Sequence, residues 1–480
     1  MEKQITKSQN TKNQCAENQC VDRGNEIRYD AVIIGFGKGG KTLAGALGAA
    51  GKRTAMVEKS PLMYGGTCIN VGCIPTKSLV HSAGLAAVCG GSFEEKAAMY
   101  RAAIEEKEGL TGRLREKNFQ KLDGNPNVTV YTGTAGFLSP HEVQVDTQDG
   151  QKLVLEADQI FINTGSRPFV PNIEGLKDNP YVYLSETLLD RKELPEHLVI
   201  IGGGYIGMEF SSIYADFGSK VTVLQDGTTF LPREDEEIAE AVRKQLASKG
   251  VEVMTGVQVT AVKEEKGRAV VVAVKDGKTL ELPAEAVLVA TGRRPNTEGL
   301  NLEAAGVKLN ERGAVITDDT LATTMPHIYA MGDVRGGLQF TYISLDDFRI
   351  VRSQILGDKS YTLKDRGAVP YSVFFNPAFS RVGMSEAEAV KAGFEVKIAR
   401  LAAAAIPKAQ VLQQPVGLLK AVIDAKTGKI LGAHLFCEES YEMINLVKIA
   451  MDAGLPYTAL RDAIYTHPTM SEAFNDLFAI

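Results

Sequence analysis

At 480 residues, 44% of them hydrophobic and 47 of them glycine, the chain is too long for one core and reads as about three α/β domains rich in tight turns. Its net charge of −6 argues against nucleic acid or an anionic membrane as the main partner. No apolar run approaches the ~18 residues of a membrane span.

Residues 1–28 are rich in Lys, Gln, Asn and Glu, lack an apolar signal core, and read as a disordered tail of a cytoplasmic protein. The tail carries Cys15 and Cys20, which read as unstructured thiols because nothing apolar nearby would fix their geometry. From Tyr29 the apolar run Ala31-Val32-Ile33-Ile34 predicts a parallel strand covered on both faces. It feeds a G-x-G-x-x-G turn of Gly35, Gly37 and Gly40, an alanine-rich helix over Lys41 to Ala50, and a second strand ending at Glu58. Glu58 stands 58 − 35 = 23 residues after the first glycine, close to the ~20 expected for an acid that holds a ribose hydroxyl. Strand, glycine turn, helix, strand and acid in this order predict a dinucleotide site, with the pyrophosphate at the helix N-terminus.

The stretch Gly65-Gly66-Thr67-Cys68-Ile69-Asn70-Val71-Gly72-Cys73-Ile74-Pro75-Thr76-Lys77 follows. In a reducing compartment a close cysteine pair reads as redox-active or metal-binding, and only His81 and Cys89 stand near enough to complete a metal set, so the redox reading leads and no metal is expected. Pro75 suits the first turn of a helix through Ser78-Leu79-Val80, whose N-terminus favours a thiolate. The isolated Cys89 and Cys437 read as buried small apolar residues. Residues 78–125 read as helical, and the alternating runs after Val128 as a small antiparallel sheet inserted into the nucleotide fold. The strand Gln159–Ile162 ends in a small-residue turn with Thr164 and Gly165.

The unit then recurs. A strand at Leu198–Ile201 precedes Gly202, Gly204 and Gly207 of a second G-x-G-x-x-G, and Lys220–Leu224 is the next strand. At the offset of Glu58, 202 + 23 = 225, stands Gln225, followed by Asp226. With no arginine at that strand end and an acid that would repel a 2′-phosphate, NADH is expected over NADPH, although Arg233 stands near enough to reach in. Gly292 follows the last strand of this unit, and Gly332-Asp333 ends a strand that returns to the first. From Ala368 the pattern becomes α+β without a nucleotide motif. Near the end, His467 with Glu472 reads either as a general acid/base held in one tautomer or, through Thr469-x-x-Glu472, as a capping box with no chemistry.

Taken together, Gly65 to Cys73, both glycine motifs, Gly332-Asp333 and His467-Pro468-Thr469 to Glu472 resemble the pyridine nucleotide-disulfide oxidoreductases. Met63–Gly66 and Phe340–Asp347 look most similar to the RclA-type reactive-chlorine-defence flavoproteins within that family. The resemblance implies two Rossmann-like domains and a C-terminal α+β dimerisation domain. Their expected spans are 29–170 with 295–367 for FAD, 171–294 for NAD(P)H, and 368–480 for dimerisation. Gly35, Gly37, Gly40, Glu58, Gly66, Thr67, Thr164, Gly165, Gly332 and Asp333 are the implied FAD residues. Gly202, Gly204, Tyr205, Ile206, Gly207, Glu209, Gln225 and Gly292 are the implied NAD(P)H residues, with Tyr205 as a gate. Cys73 would be the charge-transfer thiol beside the flavin, Cys68 the interchange thiol and Lys77 a lysine near the flavin. His467 and Glu472 would face the partner subunit's cysteine pair in a homodimer.

The implied activity is a FAD-dependent NAD(P)H oxidoreductase with a redox-active Cys68–Cys73 disulfide. The expected acceptor is a small oxidant, hypothiocyanous acid or Cu(II), with dihydrolipoamide dehydrogenase as runner-up. The sequence closes on Leu477-Phe478-Ala479-Ile480, without the C-terminal cysteine pair of mercuric or large thioredoxin reductases. A flavin-based redox sensor is the non-enzymatic alternative, and cysteines beside two nucleotide motifs weigh against it.

Overall fold

A computed structural model of the protein describes residues 26–480. The Cys15/Cys20 pair lies outside the described residues. Strand β1 (Glu26–Ile34) begins earlier than the expected end of the tail, because Glu26–Arg28 pair with Val154–Glu156. Helix α1 (Lys38–Ala49) and strand β2 (Thr54–Glu58) follow. Val32 and Ile34 of β1 enter one apolar cluster and Ala31 and Ile33 another, so the continuous apolar run is a strand buried on both faces.

A single turn, α2 (Thr67–Asn70), precedes α3 (Cys73–Cys89) and α4 (Phe93–Asp123). The helical stretch expected over 78–125 is thus two helices. Gly90, at φ 67, ends α3 in a backbone region that favours glycine, and a reciprocal Ser92/Glu95 capping box restarts the chain as α4. Cys89 closes α3 at this break and is exposed, not buried as expected; Cys437 is buried.

The chain continues through β3 (Val128–Phe137), β4 (Glu142–Thr147) and β5 (Lys152–Ile162). These do not form a separate inserted sheet. Residues 128–132 of β3 extend the parallel sheet beside β2, while residues 133–137 pair antiparallel with β4. β5 likewise pairs with β4 and with β1, so two long strands carry the antiparallel pairing into the parallel part of one sheet.

Strand β6 (Ser166–Pro168) leads to a second unit of β7 (Val182–Leu184), α5 (Ser185–Leu188), β8 (His197–Ile201), α6 (Tyr205–Asp216), β9 (Lys220–Leu224), α7 (Glu236–Ser248) and β10 (Val251–Met254). Strands β11 (Gln258–Glu265), β12 (Arg268–Lys275) and β13 (Lys278–Ala284) form an antiparallel sheet of their own. β14 (Ala286–Val289) completes a parallel sheet in the order β10-β9-β8-β14-β7. β15 (Arg293–Pro295) pairs antiparallel with β6, so the two passages between the units run side by side. β16 (Ile328–Ala330) joins β5, closing the six-stranded first sheet, and α8 (Thr341–Leu356) follows.

The last unit is a five-stranded antiparallel sheet of β17 (Tyr371–Val373), β18 (Phe379–Gly383), β19 (Val396–Ala402), β20 (Leu418–Asp424) and β21 (Ile430–Phe436). The helix Ser440–Asp452 packs its buried Met443, Ile444 and Val447 into the core of this sheet. Two dinucleotide-type sheets, the first mixed and the second parallel, and a C-terminal α+β unit are the architecture the sequence predicts.

Candidate active site

The site is built on the two residues that precede α2. Gly65 and Gly66 have φ of 96° and 78°, and a Cβ on Gly66 would stand 2.6 Å from Gly37 Cα. Only glycine lets the cysteine turn lie directly against the first glycine loop. Cys68 is the second residue of α2, and Cys73 opens α3 behind Gly72, where the amides of a first helical turn lack backbone partners. Both are free thiols. They share a hydrogen bond, and that bond is the main reason Cys73 is lowered to about 6 while Cys68 is raised. The Thr341 hydroxyl, 3.4 Å from Cys73 Sγ, and the Lys77 charge lower Cys73 further. The two thiols therefore titrate as a pair, and the first proton leaves the pair more easily than it leaves a free cysteine.

One turn along α3, Lys77 Nζ lies 2.6 Å from each carboxylate oxygen of Glu209 and 4.8 Å from the centre of the Phe374 ring. Glu209 also accepts the Phe374 amide at 2.9 Å. The sequence expectation assigns Lys77 to the flavin side and Glu209 to the nicotinamide side; the fold makes them one ion pair.

In the first glycine loop Gly35 has φ 104°, and a Cβ there would stand 2.4 Å from Asn163 O; on Gly40 it would stand 2.5 Å from Gly35 O. Asn163 Nδ2 donates to Gly35 O, and Ser344 Oγ accepts the Gly39 amide, so Asn163 and Ser344 hold the loop from outside the motif. Glu58 accepts the amides of Phe36 and Ser60, and burial pushes its carboxyl up against those bonds. Asp333 follows β16 and accepts the Ser166 hydroxyl at 2.7 Å; burial raises it too. The Gly332 amide donates to the fully buried Asp347, which also pairs with Arg335 and Arg366. The Thr164 hydroxyl donates to Asn296 O and so ties this turn to the residue that follows β15.

The second loop repeats the design. A Cβ on Gly202 would stand 2.4 Å from Ala290 O and on Gly207 2.2 Å from Gly202 O, whereas on Gly204 it would meet no atom within 4 Å. The outer glycines are fixed by chain packing and the middle one faces an open approach. Gln225 ends β9 with Nε2 donated to Thr229 O at 2.6 Å, and its buried Oε1 has no hydrogen-bond partner among the described residues. Tyr205 and Ile206 open α6, and the Tyr205 hydroxyl donates to the buried carboxylate of Glu234. Tyr371 donates to the same carboxylate at 2.7 Å from the C-terminal unit.

One continuous cleft of about 2430 Å³ joins these parts. Its lining includes Gly37, Thr67, Cys68, Cys73, Lys77, Gly165, Gly204, Tyr205, Glu209, Gln225, Gly292 and Asp333. His467 and Glu472 are not among the lining residues of this chain. His467 Nδ1 lies 2.8 Å from Glu472 Oε2 on an exposed surface, while Glu472 Oε1 accepts the Thr469 amide and Thr469 Oγ1 accepts the Glu472 amide. The turn contains both the His467–Glu472 pair and the capping box, and the box closes the turn before the helix Ala473–Leu477 and not the helix itself.

Residues to which the sequence reading gave no role are Asn163, Phe374, Glu234 and Tyr371, together with Thr341, Ser344 and Asp347 inside the Phe340–Asp347 stretch that carries the resemblance. They act from distant elements through hydrogen bonds and ion pairs, and no local spacing marks those roles. Among the described residues no three His, Cys, Asp or Glu side chains gather as metal ligands.

Residues 29–347 match the family described as pyridine nucleotide-disulphide oxidoreductase, and residues 369–478 match its dimerisation domain. The chain belongs to the pyridine nucleotide-disulphide oxidoreductases. It is 49% identical over 453 residues to the probable pyridine nucleotide-disulfide oxidoreductase RclA of Escherichia coli (strain K12), covering 94% of this chain and 99% of that one. Identity falls to 34% with a mercuric reductase of Staphylococcus aureus, over 94% of this chain and 82% of that one. It is also 34% with a dihydrolipoyl dehydrogenase of Mycobacterium tuberculosis (strain ATCC 25618 / H37Rv), over 94% and 97%. The solved Cu(II) complex of the HOCl-induced flavoprotein disulfide reductase RclA from Escherichia coli superposes with a TM-score of 0.89 at 49% identity, covering 94% of this chain and 99% of that one. As a member of this family of pyridine nucleotide-disulphide oxidoreductases, the chain is an oxidoreductase that works with FAD and NAD(P)H. Its residues fit two dinucleotides: two glycine loops locked by their outer glycines, an open Gly204, and an unpartnered Gln225 oxygen facing Gly203.

Proposed function

We propose that this oxidoreductase passes electrons from NADH to a small oxidant, hypothiocyanous acid before Cu(II), through Cys68 and Cys73 in defence against reactive chlorine species. The observation that carries the reading is the hydrogen-bonded thiol pair lying in one cleft with both glycine loops. Bound FAD and NADH supply two electrons as a hydride equivalent, which keep the pair reduced. The first loop, with Glu58 and Asp333, would hold FAD. The second, with Gln225 accepting from a ribose hydroxyl, would hold the nicotinamide nucleotide.

The stoichiometry suits the protonation state. With the shared proton on Cys73, the Cys68 thiolate attacks the sulfur of hypothiocyanous acid, that proton leaves with the hydroxyl as water, and the Cys68 sulfur carries thiocyanate as a mixed adduct. The Cys73 thiolate then displaces thiocyanate and forms the Cys68–Cys73 disulfide. One thiol, one thiolate and one acid give a disulfide, water and thiocyanate, with no further proton needed.

A second reading, reduction of a dithiol-linked disulfide, draws on the ordered His467–Glu472 pair, which suits protonation of a thiolate leaving group. Because that pair lies outside this chain's own cleft, it would act on a second copy in a homodimer. No described helix is long and apolar enough to cross a membrane, and with the acidic charge we place the enzyme in the cytoplasm. Oxidation of NADH followed with hypothiocyanous acid, Cu(II), lipoamide and glutathione disulfide tests the reading. Turnover fastest with hypothiocyanous acid supports it, and fast lipoamide turnover would replace it with the dihydrolipoamide dehydrogenase reading.

A further inference from the structure

Residues 226–233 join the end of β9 to Glu234, and both ends of this loop close on the second glycine turn. At one end Gln225 packs against Gly203, where a Cβ would stand 2.2 Å from Gln225 Oε1. At the other, the Glu234 carboxylate accepts the hydroxyl of Tyr205, two residues past Gly203. Gln225, Asp226, Leu231, Pro232, Arg233 and Glu234 line the cleft, so the loop is one of its walls.

The C-terminal unit holds this wall from behind. Tyr371, the first residue of β17, donates its hydroxyl to Glu234 at 2.7 Å from one oxygen and 3.0 Å from the other. Arg381 of β18 lies 3.6 Å from Glu234 Oε2 and donates to the main-chain oxygen of Arg233. The Glu234 side chain is fully buried, and a buried carboxylate keeps its donors because losing them leaves an uncompensated charge. The Tyr205 and Tyr371 rings pack with centres 5.6 Å apart. Just past the loop, Lys420 of β20 pairs with Asp235 at 2.9 Å and with Glu237 at 2.8 Å at the start of α7. A unit without a nucleotide motif thus fixes the loop that faces the second glycine turn.

We propose that Tyr371, acting through Glu234, is a positioning residue for the nicotinamide nucleotide: it holds the 226–233 loop and Tyr205 in the arrangement that receives it. This rests on the reading of the second glycine loop as the nicotinamide nucleotide site. A loop held before binding costs less to order when the ligand arrives, and apparent affinity falls with the fraction of molecules whose loop is out of place. Once the nucleotide is bound the loop is in place, so the hydride step keeps its rate.

The test uses flavin-loaded Tyr371→Phe, which keeps the ring and leaves Arg381 to pair the carboxylate. Its affinity for NAD+, measured by isothermal titration calorimetry, should fall about threefold to tenfold, as a competent fraction reduced by that factor requires. The limiting rate of flavin reduction by NADH in stopped flow should stay within about twofold of the parent. Amides of residues 226–233 should exchange hydrogen faster in the variant, and saturating NAD+ should remove the difference. Affinity within about twofold of the parent, or faster exchange that NAD+ leaves in place, would overturn the proposal. A further measurement needs no variant and stands even if Tyr371→Phe loses its flavin. Coupling is reciprocal, so NAD+ bound to the parent enzyme should slow exchange in β17 as well as in the loop. Protection confined to the loop would overturn the coupling. Gln225→Ala separates the two readings: if it leaves NAD+ affinity unchanged, the nucleotide-site reading falls and this proposal with it. If Gln225→Ala weakens NAD+ and Tyr371→Phe does not, the positioning role alone is overturned.

Discussion

His467 Nδ1 lies 2.8 Å from Glu472 Oε2 while the other oxygen of the same carboxylate accepts the Thr469 amide. One side chain orients an imidazole and closes a turn, so its removal should have two separable consequences. Disulfide reduction needs a proton delivered to a poor thiolate leaving group, and a positioned general acid contributes typically ~10²–10⁴-fold. Hypothiocyanous acid already carries a good leaving group. His467→Ala should therefore severely impair any lipoamide or glutathione disulfide reduction and only mildly slow hypothiocyanous acid reduction, with folding and flavin content intact. Glu472→Ala should share that kinetic pattern and also cost about 0.5–2 kcal/mol of stability as a lost cap. Steady-state rates with both acceptor classes, beside thermal unfolding, check both effects; equal severe losses with both acceptors would defeat the leaving-group argument.

The shared thiol proton makes a spectroscopic expectation. Cys73 is lowered to about 6, so its thiolate should persist above that pH and be lost as pH falls through it. The two-electron-reduced enzyme should show a long-wavelength charge-transfer band from Cys73 to oxidised flavin, fading on acidification through the same region. Cys73→Ser should lack the band. Cys68→Ser should show it without reduction, because Cys73 can no longer be held in a disulfide, but fading at a higher pH, because the hydrogen bond from Cys68 is the largest influence lowering Cys73. A colourless protein or an unchanged band in Cys73→Ser would sink the assignment.

What was legible in the sequence was local. Gly35, Gly37 and Gly40, like Gly202, Gly204 and Gly207, announce themselves because a tight strand-to-helix turn admits few other residues, and the run Ala31–Ile34 signals two-sided burial by its lack of alternation. The cysteine pair and its helix N-terminus were legible for the same reason. What stayed hidden depends on contacts between distant segments. Thr341 reaches Cys73 across 268 positions of sequence, and Asn163 braces a loop 128 positions away. The break at Gly90-Gly91 is masked in the sequence because alanine, leucine and charged residues continue on both sides, and composition outweighs two glycines. The antiparallel meander reads as an insertion because short alternating runs do not reveal that β3 and β5 are long enough to belong to two pairings at once.

Nucleotide preference turns on the end of β9. Gln225 there offers an unpartnered oxygen to a hydroxyl donor, and Asp226 next to it opposes a phosphate. NADH should accordingly give the higher kcat/KM. Gln225→Ala should raise KM for NADH with little change in kcat, because a ribose contact binds ground state and transition state alike. Arg233 lines the same cleft. If NADPH proves better, Arg233→Ala should selectively harm its use and the preference argued from Gln225 and Asp226 would fall.

Asp347 bears first on stability and, through the Gly332-Asp333 turn, on flavin retention. Its carboxylate is fully buried, accepts the Gly332 amide at 2.7 Å, and pairs with Arg335 at 3.2 Å and with Arg366. Arg366 is shared with Asp346, whereas Arg335 has no other carboxylate among the described ion pairs. Removing one partner of a buried pair leaves the other charge uncompensated, a loss of about 3–5 kcal/mol. Asp347→Ala should fall in that range by urea denaturation and should loosen the Gly332-Asp333 turn, reducing retained flavin. Asp346→Ala, which leaves both Arg335 and Arg366 paired to Asp347, should cost clearly less. Equal losses in the two variants would mean that the cluster acts as a diffuse charge network and that Asp347 is not its keystone.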